Sequence, residues 1–189
     1  MQTLITPEKV LEEVRKATVE TLRIKEDQIQ LANSFVKDLG LESLDFLDIN
    51  YRLEQAFGIK MARHFFLEHV EEMFGEGTAI DPRGKLTEKA LKLLTIRYDP
   101  NNLPDLSKGL DMDEVPALIT VQSMVDVVMD ILETLPEKCP SCGASAWKTE
   151  DGTHIICGQC GADGVFTNGD ELIKEWLNKV QADTKLFTA

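Results

Sequence analysis

The sequence predicts a mainly α protein: a helical bundle carrying a helical insertion, then a small metal-stapled β domain that ends in one further helix. Three observations predict it. Apolar residues recur at spacings of three and four in several stretches, Ser or Thr caps and Gly or Pro stops bracket those stretches, and all four cysteines fall between Cys139 and Cys160. With 189 residues and 43% hydrophobic composition, the chain can build one sizeable core or two small ones.

Thr6-Pro7 offers an N-cap followed by proline at the first helical position, and Val10, Leu11, Val14, Ala17 and Leu22 follow at helical spacing, giving a first helix over about 7–22. Residues 23–42 read as a long loop across the core, anchored by Phe35, Val36 and Leu39. A second amphipathic helix spans Ser43 to Phe57 with Phe46, Ile49, Leu53 and Phe57 on one face, and Gly58 closes it. Between about 60 and 118 two more helices are expected, around 64–74 and 88–97, separated by Gly75, Gly77, Pro82 and Gly84; the segment Asp99 to Pro104 ends the second. Their apolar residues Phe65, Phe66, Val70, Met73, Phe74, Leu91 and Leu94 are expected to pack on the bundle core, the alternative being that they line a sheltering groove. Thr120 caps the last helix of the bundle, with Val121, Met124, Val125, Val128 and Leu132 in register and Pro136 as its stop. Short strands near 146–149, 154–156 and 165–167 and a helix over about 171–181 complete the chain. The domain division read from this order is 1–135, with the insertion at about 60–118, and 136–189.

The formal net charge of -13 argues against nucleic acid as a partner, because that affinity comes from clustered Lys and Arg. No run is long and apolar enough to span a bilayer, and residues 1–9 carry no apolar stretch behind a basic start, so the expected location is the cytoplasm.

Cys139-Pro-Ser-Cys142-Gly and Cys157-Gly-Gln-Cys160-Gly are two metal-binding knuckles, and the residues between them suit one hairpin. Four thiolates around one tetrahedral ion resemble a zinc ribbon with a structural zinc, and a short tail with few core residues needs such a staple. A rubredoxin-like iron site uses the same knuckles, and a pair of redox-active disulfides is a further alternative. From 136 to 189 there are five Lys plus Arg against eight Asp plus Glu, which favours a stabilising or protein-binding role over nucleic-acid contact. His154 lies between the pairs as a strand residue rather than a ligand, since four cysteines already close the shell. His64 and His69 are five apart, on different sides of a helix, and receive no role.

Ser43 by itself is an ordinary helix-start residue. The stretch Phe35-Val-Lys-Asp-Leu-Gly-Leu-Glu-Ser43-Leu-Asp-Phe-Leu-Asp-Ile-Asn-Tyr-Arg-Leu-Glu-Gln-Ala-Phe57, however, resembles the modification loop and second helix of acyl carrier proteins, and Ile119-Thr-Val-Gln-Ser-Met-Val-Asp-Val-Val128 is similar to that family's last helix. The likeness covers about 1–59 and 118–135. It departs from the family in having Glu42 where Asp is usual and in the residues of the insertion. The resemblance implies an acyl-carrier-like four-helix bundle, with phosphopantetheine attached covalently at Ser43 by a phosphopantetheinyl transferase and an acyl group held on its thiol. It also implies acyl-processing partners, such as ketosynthases or acyltransferases, whose basic surfaces would dock on Glu42, Asp45, Asp48 and Glu54. The function expected is that of a carrier for fatty-acid or polyketide-like synthesis; the alternative is an unmodified carrier-like zinc-ribbon adaptor that regulates a partner. An enzyme is not expected, because no nucleophile has a paired base, no metal site is open, and no glycine loop cradles a phosphate.

Overall fold

Helices form where caps and periodicity place them, as seen in a computed structural model that describes residues 4–98 and 103–188. Helix α1 (Pro7–Leu22) begins behind Thr6, whose hydroxyl accepts the Lys9 N–H at 3.3 Å. Helix α2 is Ser43–Phe57 and closes on Gly58, whose φ of 68° is the left-handed conformation that glycine adopts without cost. Next come α3 (Phe66–Phe74) and α4 (Glu88–Arg97), the latter capped by Thr87. Helix α5 (Val121–Leu132) starts at Thr120, which exchanges capping bonds with Ser123. Strands β1 (Trp147–Glu150) and β2 (His154–Cys157) pair antiparallel, Trp147 opposite Cys157 and Glu150 opposite His154, and α6 spans Gly169–Thr184.

One expectation is corrected at this level, and another falls largely outside the described residues. No strand forms at 165–167: Gly164 donates to the Ile155 carbonyl at 2.8 Å, but the Thr167 N–H turns to the Thr134 hydroxyl at 2.9 Å, so pairing stops at a single bridge between Ile156 and Asp163. The helix stop assigned to Asp99–Pro104 falls largely on 99–102, outside the described residues; α4 itself ends at Arg97.

The chain divides into two compact units that are discontinuous in sequence, unlike the serial division at 135/136. Unit 1 is Met1–Met61 with Ile119–Gly169, and unit 2 is Ala62–Leu118 with Asp170–Ala189. In unit 1, α1 packs against both α2 and α5, and Val10, Val14, Ile49, Leu53, Phe57, Val121 and Val128 are fully or almost fully buried. The β hairpin belongs to this unit. Unit 2 has its own apolar cluster, in which Phe66, Leu67, Val70, Ala90, Leu93 and Leu94 meet Leu177, Val180 and Phe187. The apolar residues of the insertion therefore fill a separate core rather than the carrier bundle. The physical reason is that α6 brings the second half of that core, from a stretch far along the chain.

Candidate functional site

Ser43 is the first residue of α2 and is exposed. Its position is fixed by the loop that precedes it. Phe35 is fully buried and donates its N–H to the Ile119 carbonyl at 3.0 Å, its ring meets that of Phe46 edge-on at 5.9 Å, and its carbonyl accepts the Leu41 N–H at 2.8 Å. Leu41 is buried as well, and Gly40 takes the left-handed conformation at φ 72° that turns the chain into the helix. Val36 and Leu39, the other expected anchors, are only half-buried, and Leu41 does more of that work.

The four acidic residues around Ser43 have four different situations. Glu42 is exposed at the N-cap, and its N–H donates to the Asp45 carboxylate at 2.8 Å, so Asp45 serves as a cap. Asp48 accepts the Thr21 hydroxyl at 2.7 Å and the Arg52 Nε–H at 2.9 Å, and Arg52 in turn pairs with Glu20, which ties α2 to α1. The Thr21 hydroxyl first, and Arg52 second, hold the Asp48 carboxyl below the usual carboxylate range. Glu54 is only 3% exposed: it accepts the Met61 N–H at 2.9 Å and lies 3.8 Å from Lys60 Nζ. It is thus turned away from any docking surface, because the chain returning after Gly58 supplies a donor for it.

Beyond Ser43 the outward face of α2 is apolar. Leu44 is 77% exposed, and Leu47 and Tyr51 are also exposed. The sequence carries a signal for this face, a second apolar stripe at spacings of three and four beside the stripe of Phe46, Ile49, Leu53 and Phe57.

The four cysteines converge, their sulfurs all within 4.8 Å of one another. The two knuckles are local copies: each has the order Cys-x-x-Cys-Gly-Ala, the first cysteine donating its N–H to the alanine carbonyl, at 2.9 Å in Cys139 to Ala144 and 2.8 Å in Cys157 to Ala162. Gly143 and Gly161 both have φ 75°, which a residue with a Cβ rarely adopts. Across the pair, Cys139 and Cys160 sulfurs lie 3.7 Å apart and Cys142 and Cys157 sulfurs 3.6 Å. A disulfide needs ~2.05 Å, whereas sulfurs ~2.3 Å from one tetrahedral ion stand ~3.8 Å from each other. The separations fit a shared ion. The backbone N–H of Cys160, then that of Gln159, lowers the Cys157 thiol to about 7 against burial. At Cys142 the Ala144 N–H favours the thiolate, but burial and the neighbouring thiols, Cys160 first, outweigh it and push that thiol up to about 12. Thiols this crowded cannot all ionise without a cation between them.

His69, assigned no role from the sequence, is almost fully buried in unit 2. Its Nε2 lies 2.9 Å from Asp170 and its Nδ1 3.3 Å from Glu72, and Asp170 also accepts the N–H groups of Arg63 and His64 at 3.1 and 3.2 Å. Asp170 stands 101 residues from His69, so no local pattern could have announced the pair.

Comparison with known proteins matches residues 12–70 to the family described as "Phosphopantetheine attachment site". The chain is 38% identical over 61 residues to proteins named acyl carrier protein AcpXL from Brucella melitensis and Brucella suis, an alignment covering 32% of this chain and 66% of theirs. It is also 38% identical over 52 residues to an acyl carrier protein of Campylobacter hominis, covering 28% of this chain and 66% of that protein. The chain thus spans just under two thirds of the length of these relatives. Over these residues the chain matches the phosphopantetheine attachment family and is similar to acyl carrier proteins, which are carriers rather than enzymes. No solved structure matches it. Among the described residues no helix is long and apolar enough to cross a membrane.

Proposed function

We propose that this chain carries acyl groups as thioesters on a phosphopantetheine arm attached to Ser43, serving fatty-acid or polyketide-like synthesis in the cytoplasm. The observation that carries this reading is an exposed serine at the first position of α2, inside the segment that matches the phosphopantetheine attachment family. A phosphodiester formed on that hydroxyl would lie at the positive end of the helix, where free N–H groups stabilise an anion. A phosphopantetheinyl transferase would supply the arm from coenzyme A. It and the acyl-processing enzymes would approach over Glu42, Asp45 and Asp48, and the apolar face of Leu44, Leu47 and Tyr51 offers them contact area. The four cysteines would hold one structural zinc, whose closed shell keeps the knuckles folded and leaves no position open for catalysis.

Incubation with coenzyme A and a phosphopantetheinyl transferase should raise the intact mass of the protein by one arm, and Ser43→Ala should abolish the gain. A wild-type protein that stays unmodified would overturn the carrier reading in favour of a carrier-like adaptor. Metal analysis of the purified protein should return one zinc per chain; iron in its place would make the cluster rubredoxin-like.

A further inference from the structure

We propose that metal binding at the four cysteines braces the C-terminal end of α2, so that the helix bearing Ser43 is fully ordered only when the cluster is loaded. This rests on the reading of the cysteines as one metal site.

Strand β2 joins the two places. Its last residue is Cys157, and its first, His154, lies against Gly58, the C-cap of α2: a Cβ added to Gly58 would come within 2.8 Å of His154 Cε1. The imidazole is held from its other side as well, with Nε2 3.3 Å from Asp163, a residue that follows directly on the second knuckle. Asp163 is itself placed by its bridge to Ile156, and the neighbouring Gly164 by its bond to the Ile155 carbonyl. Both supports of the ring thus run out of the cysteine cluster within a few residues.

The end of α2 also carries bonds of its own and one to the chain beyond the second knuckle. The Gly58 N–H donates to the Glu54 carbonyl at 2.9 Å, the Glu54 side chain holds the Met61 N–H, and the Lys60 carbonyl accepts the Gly169 N–H at 2.9 Å. On the α5 side, the Trp147 indole donates to the Pro136 carbonyl at 2.7 Å. A hairpin of two four-residue strands is marginal alone in water, and buried in it are only Thr153, Ile155 and Cys157. Its order comes from the ion that its knuckles bind. What His154 touches shares that dependence.

The test uses the full chain, reduced and stripped of metal, then titrated with zinc while metal uptake and backbone amide exchange are followed. One equivalent of zinc should slow exchange over residues 53–61 by about tenfold or more. His154→Ala should take up the same single zinc yet lose most of that slowing, whereas Cys142→Ser should lose both. Zinc uptake by the wild type with exchange over 53–61 unchanged would overturn the brace and leave the metal site standing. Failure to take up zinc at all would overturn the metal reading, and the brace with it.

Discussion

Unit 1 contains a hairpin held by two local Cys-x-x-Cys-Gly-Ala turns, whereas unit 2 is completed by α6, whose Leu177 and Val180 are buried among side chains of α3 and α4. The polar supports differ in the same way. The hairpin has four sulfurs within 4.8 Å, while unit 2 has the His69 ring between Asp170 and Glu72, and the Arg97 guanidinium 5.1 Å from the Phe66 ring and 4.8 Å from that of Trp176. One is built from neighbours in sequence around four converging thiols; the other joins distant segments and is completed by apolar burial. Removing one group should therefore do most damage where the support is concentrated in few atoms.

The largest effect is expected from metal. Apparent binding energies of structural zinc in small peptides reach about 10–16 kcal/mol, far more than a two-strand hairpin can replace, so chelation or Cys157→Ser should collapse the β1–β2 amide dispersion in NMR spectra. Leu177→Ala comes next. A fully buried leucine leaves a cavity on truncation, with an expected loss of about 2–5 kcal/mol read as a lower denaturation midpoint for unit 2 amides. A loss below about 1 kcal/mol would mean that α6 does not complete that core.

This contrast also explains what could be read from the chain. The cysteine knuckles were legible because ligand spacing is a local property, and α1, α2, α4 and α5 were legible because cap and period lie within one stretch. The segment around Ser43 was legible as a carrier-like stretch, whereas the serine's own chemistry is that of any helix start. Glu54 was misplaced on a docking face because helical periodicity says which side a residue lies on and nothing about the chain that later covers it; Met61 supplies that cover. The partnership of the insertion with α6 was hidden for the same reason. The apolar residues of both were visible, but a core shared by segments about a hundred residues apart has no signature in either.

Acid should test the polar support of unit 2. Burial opposes ionisation of Asp170, yet the Arg63 N–H, the His69 ring and the His64 N–H together hold its carboxyl below the ordinary range. A carboxyl lowered on folding stabilises above its unfolded value of about 3.9 and loses that contribution as pH falls through the folded value. Unit 2 should therefore weaken below about pH 4, and Asp170→Asn should flatten that part of its stability profile. An unchanged acid limb in the variant would remove Asp170 from the support.

The smallest expected effects lie at two threonine caps, one in each unit. Thr120 Oγ1 accepts the Ser123 N–H at 3.1 Å, and the Ser123 hydroxyl returns a bond from the Thr120 N–H at 2.9 Å, so Thr120→Ala removes one bond of a pair and should cost about 1 kcal/mol. Thr87 caps α4 by accepting the Ala90 N–H at 3.2 Å and also donates its hydroxyl to the Thr78 carbonyl at 2.6 Å. Thr87→Ala therefore strands a second group, and its loss should exceed that of Thr120→Ala, approaching about 2 kcal/mol. Chemical denaturation of the two variants reads the order directly. Equal losses would mean that the bond to Thr78 adds nothing, and that unit 2 depends on its apolar core and the His69 cluster rather than on the turn before α4.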